Sequence, residues 1–193
     1  MSDKKDDLTA IVEGSTPGKD SIHHAVIHTE LGDICLELYA SQAPVTVSNF
    51  ERLVADGAYN HSSFYRTVHD DNQPDDATKI NVIQGGLRGT EREGKYPCIS
   101  HETTDKTGVK NLDGVIAMAR LKPGSASSEF FICIGDQPGL DYEGSRNPDG
   151  QGFAAFGKVT SGMEIVRTIQ RSGDEGQYLT NPIKIYNIEL IDQ

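Results

Sequence analysis

Between His24 and Tyr39 two short runs flank Glu30-Leu31-Gly32-Asp33, and in the second Ile34, Leu36 and Leu38 alternate with Cys35, Glu37 and Tyr39. A period of two sends one set of side chains to one face of a strand, so this stretch predicts a β-hairpin with one buried face. The period then lengthens. Pro44 offers a fixed first-turn φ, Val47, Phe50 and Val54 recur at i, i+3 and i+7, and Gly57 supplies a left-handed stop, which predicts a helix over residues 43–56. Short apolar runs follow at residues 64–68, 80–83, 115–119, 130–134 and 153–159, each bounded by Gly, Pro, Asn or Asp, and read as strands. A second helix is expected near Gly162, with Met163, Val166 and Ile169 on one face and an end at Ser172-Gly173. In the last run, residues 183–191, Tyr186, Ile188 and Leu190 alternate with Ile185, Asn187 and Glu189. Many short strands with only two helices between them favour an antiparallel barrel or sandwich over parallel βαβ units.

The chain of 193 residues fits one domain. Residues 1–21 are rich in Asp, Lys, Gly, Ser and Thr around Pro17-Gly18, and read as a flexible tail with at most a local contact through Ile11 and Val12. Residues 22–193 form the expected domain. Lys and Arg total 18 against 29 Asp and Glu, a formal charge of −11 that argues against nucleic acid and anionic membrane surfaces as partners. Cys35, Cys98 and Cys133 are odd in number and far apart, as in a reducing compartment. The apolar stretch near Leu8 to Val12 is too short for a signal peptide, and no segment approaches the roughly 20 apolar residues of a membrane span. A cytoplasmic monomer is expected.

Phe64-Tyr65-Arg66, then Val82-Ile83-Gln84-Gly85-Gly86, then Ala117-Met118-Ala119-Arg120 followed by Ser127-Ser128-Glu129-Phe130-Phe131-Ile132 resemble the signature of the cyclophilin-type peptidyl-prolyl isomerases. Gly139-Leu140-Asp141 and residues 153–159 continue the resemblance in the same order, so it runs from about Ala25 to Ile191. It implies a mainly β fold, an eight-stranded antiparallel barrel capped by two α-helices, with a peptide groove on its outer face. It implies Arg66 as the catalytic arginine, Gln84 beside it and Phe131 as the floor of a proline pocket. Asn81, Val82, Leu140 and Phe153 match other pocket walls, Ala119 and Arg120 match the segment that holds the substrate backbone, and Glu129 lies in the same groove. Proline-containing peptides and folding proteins would be the partners.

These residue types suit the chemistry. Rotation about a peptide bond faces a barrier of about 18–20 kcal/mol, while the two isomers at proline lie close in free energy. Catalysis therefore needs only to stabilise the twisted amide, which a permanently charged guanidinium does by donating to the proline nitrogen or the proline carbonyl. An apolar cup fixes the ring while the preceding carbonyl turns. The scheme needs no nucleophile, metal or cofactor, and none is expected.

The sequence departs from the family pattern at several positions. Glu129 stands where Gln is common and is expected to pin Arg66 or Arg120 as an ion pair. Asn81 replaces an aromatic, which would thin one wall. Gly139 replaces a Trp, which predicts weak cyclosporin binding, and Phe153 replaces a His. Two loops, residues 69–79 and 141–152, are enlarged and are expected to shape substrate choice. No two histidines share i,i+4 spacing on an expected helix, His24 and His28 lying in a run read as a strand, and in the calcium-like stretch 141–152 Arg146 takes the glycine position and Gly152 the acidic one, so neither reads as a metal site. A non-catalytic proline-peptide module on the same barrel is the alternative, and retention of Arg66, Gln84 and Phe131 argues against it.

Overall fold

Alternation decides where each strand sends its side chains, and in this chain it sends one set into a barrel. The computed structural model describes residues 21–191. The expected tail, Ser21 apart, and the contact expected of Ile11 and Val12 lie outside the described residues. In chain order the elements are β1 (Ile22–Thr29), β2 (Gly32–Tyr39), α1 (Pro44–Ala55), β3 (Ser62–Val68), β4 (Val82–Gly86), the one-turn α2 (Thr104–Thr107), β5 (Val115–Met118), β6 (Phe130–Cys133), β7 (Ala155–Ser161), α3 (Met163–Gln170), β8 (Asp174–Glu175) and β9 (Tyr178–Ile191). Neighbours run β1-β2-β7-β5-β6-β4-β3-β9, and β9 pairs back onto β1, so eight antiparallel strands close a barrel without open edges. The two residues of β8 pair with Leu179 and Tyr178 at the start of β9 and were not anticipated.

The interior is apolar and aromatic. Ile34, Leu36 and Leu38 of β2 point inward as their alternation requires, and Phe64, Phe130 and Phe156 meet Phe50 of α1 and Tyr59 behind it. Ring centroids in this group lie 5.3 to 5.9 Å apart, the tilted and edge-on spacings that aromatic quadrupoles favour. The Tyr59 hydroxyl donates to the Ser128 carbonyl at 2.9 Å, which satisfies its one polar atom inside the core.

The helices close the barrel. In α1 the expected Val47, Phe50 and Val54 are buried, and Gly57 takes φ +62° just past the end. The free N–H groups of its first turn are met from a distant loop, where the Glu102 carboxylate accepts from Val45 N and Thr46 N at 3.1 and 2.8 Å. In α3 Val166 and Ile169 are buried as expected.

The last strand departs from its expected alternation. The register against β1 shifts between His28↔Asn187 and Thr29↔Ile185, which leaves Tyr186 as an unpaired extra residue that points outward, 51% exposed. Ile185 and Ile188 are the buried pair instead. A bulge of one residue reverses the facing of everything beyond it. Among the described residues no helix is long and apolar enough to cross a membrane, and no group of three His, Cys, Asp or Glu is gathered to hold a metal ion.

Candidate active site

Strand register builds the candidate site as a row across the outside of the barrel. Arg66 of β3 pairs with Gln84 of β4, Gln84 with Phe131 of β6, and Phe131 with Ala117 of β5. Four residues from four strands thus share one face. Phe130, one residue earlier than Phe131, points into the core, as the alternation of side chains along a strand requires.

A groove of about 640 Å³ lies over this row, bordered by Arg66, Gln84, Phe131, Val82, Leu140 and Phe153, with Ala119, Arg120 and Glu129 also on its lining. Its floor is apolar. Phe131 packs edge-on to Phe153 with centroids 5.3 Å apart, over Val82, Ala117 and Leu140.

Asn81 is the exception among the expected residues. Its side chain turns away, donating to Asp70 Oδ1 and accepting from Gln170 Nε2 of α3, each at 3.0 Å. Ile80 and Val82 line the groove, as alternation around Asn81 requires.

The polar half of the groove is a directed hydrogen-bond chain. Between Phe64 and Arg66 the register against β4 slips by one, so Tyr65 is an extra residue and faces the groove beside Arg66. Leu87 N donates to Glu129 Oε1 at 2.8 Å and Tyr65 Oη to Glu129 Oε2 at 2.6 Å. Gln84 Nε2 then donates to Tyr65 Oη, and Arg66 Nη1 to Gln84 Oε1, both at 2.7 Å. An ionised carboxylate only accepts, so Glu129 makes Tyr65 donate, Tyr65 in turn accepts the Gln84 amide N–H, and the Gln84 oxygen is left facing Arg66.

Glu129 therefore forms neither expected ion pair. It reaches back over Gly86, whose φ is +146° and where an added Cβ would lie 2.4 Å from Glu129 Oε2. Burial raises the Glu129 carboxyl above its ordinary value, against the lowering effect of the bonds from Tyr65, Leu87 and Ser128. Arg120 pairs instead with Asp149, Nη1 and Nη2 to the two carboxylate oxygens at 2.9 and 2.8 Å, donates Nε to the Gly152 carbonyl and covers the Phe153 ring at 5.1 Å. That pairing pulls Asp149 down to about 2.

Sequence reading missed Gln177. It sits at the β8–β9 turn with φ +78°, accepts from Arg66 Nε at 3.2 Å and from Arg66 Nη2, and donates Nε2 to the Asn72 carbonyl at 3.0 Å. Arg66 is thus held by two amide oxygens rather than by a carboxylate. Burial, and with it the neighbouring Arg88, holds the Arg66 pKa below arginine's ordinary value, yet a guanidinium starting this high stays charged through neutral pH.

The enlarged loops interlock at one end of the groove. Arg146 Nη1 donates to Gln73 Oε1 at 2.9 Å and to the Thr78 carbonyl at 2.7 Å, while the Thr78 and Ser145 hydroxyls meet at 2.9 Å. At the position expected to lack an indole, a Cβ added to Gly139 would lie 2.7 Å from Thr78 Cγ2, so the loop of residues 69–79 covers that point.

Residues 24–190 match the family model for cyclophilin type peptidyl-prolyl cis-trans isomerases. The chain is 32% identical to peptidyl-prolyl cis-trans isomerase cyp18 of Streptomyces antibioticus, over 84% of this chain and 93% of that protein. It is 31% identical to peptidyl-prolyl cis-trans isomerase B of Escherichia coli, over 85% of this chain and 95% of that one. A cyclophilin type isomerase of Cryptosporidium parvum, solved in the presence of the dipeptide Ala-Pro, superposes with a TM-score of 0.69 and 25% identity, covering 88% of this chain and 99% of its own.

Proposed function

Because this chain belongs to the cyclophilin-type peptidyl-prolyl cis-trans isomerase family and is a peptidyl-prolyl cis-trans isomerase, we propose that Arg66, held by Gln84 and Gln177, is the group that lowers the rotation barrier. Three of its five N–H bonds go to the two glutamine oxygens, which leaves two for a substrate in the groove. As the amide twists, the proline nitrogen regains a lone pair that these donors stabilise, in a site where burial strengthens the interaction. No bond to the enzyme forms.

Phe131, Val82, Leu140 and Phe153 hold the proline ring, so that rotation takes place at the preceding carbonyl. Gln84 keeps one amide N–H beyond the one given to Tyr65, and this donor meets a substrate carbonyl. Glu129 and Tyr65 act behind it, by fixing which end of the Gln84 amide faces Arg66. Arg120 supports Phe153 and the loop of residues 141–152 instead of binding the substrate with its side chain.

Folding proteins with exposed X-Pro bonds are the expected clients, in a reducing compartment consistent with three free cysteines. Residues 22–193 act as one isomerase domain and as a monomer. Cyclosporin is expected to bind weakly, because Gly139 offers neither a ring nor a donor.

The observation that carries the assignment is the Arg66–Gln84–Phe131 row over one groove. A protease-coupled assay on X-Pro peptides tests it with Arg66→Ala and Arg66→Lys. Loss of a donor to a developing charge corresponds to about 2.7–4 kcal/mol, so Arg66→Ala should lower kcat/KM by roughly a hundredfold or more, and Lys, which lacks the planar fork, should restore only part.

A further inference from the structure

We propose that the groove selects proline peptides carrying an anionic side chain, carboxylate or phosphate, next to the X-Pro bond, and reads that anion with Arg88 and Arg146, which flank Arg66. The proposal rests on this groove being the peptide site.

The charge arrangement is the reason. The chain carries −11 overall, yet Arg66, Arg88 and Arg146 all line one groove, and among the described residues none of the three has a carboxylate oxygen within ion-pairing distance. The carboxylates on and beside the groove accept from other donors. Asp149 is gripped by Arg120, Glu129 accepts from Tyr65, Leu87 and Ser128, and Glu93 accepts from Gly89 N at 2.8 Å.

Each flanking guanidinium is held in place by neutral groups. Arg88 lies over the Tyr178 ring at 4.6 Å and the Tyr65 ring at 5.7 Å, and among the described residues its guanidinium makes no hydrogen bond or ion pair, so its N–H donors remain for a ligand. Arg146 spends one nitrogen, Nη1, on the Gln73 side chain and the Thr78 carbonyl, so Nε and Nη2 carry the remaining donors. Burial, and next to it the charge of Arg66, lowers the Arg146 pKa, and burial together with Arg88 lowers that of Arg66. Three like charges around one partly desolvated cavity repel one another, and an anion entering between them relieves that repulsion while accepting charge-assisted hydrogen bonds. The two enlarged loops thereby gain a purpose, since Gln73 and Thr78 of one hold Arg146 of the other at the end of the groove.

Calorimetric titration of blocked tetrapeptides with Glu, phosphoserine, Gln or Lys directly before or directly after proline tests the proposal. At low salt the Glu or phosphoserine peptide should bind about tenfold more tightly than the Gln peptide in at least one of the two positions, and the Lys peptide more weakly than Gln. The gap should narrow at about 300 mM salt, where exposed charges are screened. Tighter binding of phosphoserine than of Glu assigns a phosphate, and equal or weaker binding a carboxylate. In the Arg88→Gln/Arg146→Gln double variant the Glu-to-Gln ratio should fall to about one. Equal binding of anionic and neutral peptides by the unaltered protein, or a preference that survives in the double variant, overturns the proposal. Turnover of the Gln-Pro peptide, measured alongside, tests the isomerase site itself, so turnover without an anion preference removes only this inference.

Discussion

Phe130 and Phe131 are adjacent in β6 and almost equally covered, at 0% and 4% exposure, yet they belong to different regions of the molecule. Phe130 is enclosed by Phe50, Tyr59 and Phe64 inside the barrel. Phe131 meets one ring, Phe153, and forms the floor of a groove whose other half is Arg66, Gln84 and Gln177. Burial alone therefore does not separate core from site. The neighbours do, because the interior set is apolar on every side whereas the outer set ends on a guanidinium with two unused donors.

Exchanging the two rings for alanine breaks this comparison most directly. Phe130→Ala should cost about 3–5 kcal/mol of stability and lower Tm by many degrees, since the cavity lies in a closed aromatic cluster. Phe131→Ala should lose less stability but at least about tenfold in kcat/KM, because a mispositioned proline ring forfeits orientation. Thermal unfolding and the isomerisation assay on both variants decide it. Equal losses of stability and equal losses of activity would erase the distinction.

The hydrogen-bond chain gives a smaller effect. In Glu129→Gln a single amide oxygen must serve both the Leu87 N–H and the Tyr65 O–H, so one donor confronts the amide nitrogen and the direction of the chain is lost. Tyr65→Phe cuts the same chain one step nearer Arg66. Each should lower kcat by roughly fivefold, and the double variant by no more than the worse single, as for residues acting as one unit. Fully additive losses would show that the two side chains act separately.

The pH profile carries the smallest effect. Turnover should be nearly flat from about pH 6 to pH 9, because arginine does not titrate there. A shallow loss toward acid is expected as Glu129 protonates, beginning at a higher pH than for an ordinary carboxyl because burial has raised its pKa. Stability should move the other way. The folded state holds that proton more tightly than the unfolded chain does, so protonation of Glu129 favours folding, and its contribution falls as pH rises through the raised value. A steep activity profile centred on a histidine would contradict the account.

Periodicity revealed the hairpin, α1 and α3, because each rests on an unbroken period of two or 3.6, whereas Arg66, Gln84 and Phe131 were legible only through the resemblance of their motifs to the family. It failed wherever one residue is inserted. Tyr65 joins the groove and Tyr186 leaves the core through register shifts that a sequence of alternating types does not disclose. Gln177 stands 111 residues from Arg66, on a turn marked only by Gly176, and no local pattern links them. The role of Glu129 was hidden for another reason. Its type announced a charge near two arginines, but the empty space over Gly86 and the Tyr65 hydroxyl determine where that charge goes.

The action proposed for Arg66 is on the twisted amide and not on the bound peptide as such. It is tested by measuring, on Arg66→Ala, both the affinity for an X-Pro peptide by calorimetry and the rate of its cis/trans exchange by magnetisation transfer. A transition-state role requires a Kd within about threefold of the unaltered protein and an exchange rate on the saturated enzyme lower by roughly a hundredfold. Weakened binding with exchange on the saturated enzyme unchanged would contradict it and make Arg66 a binding residue only.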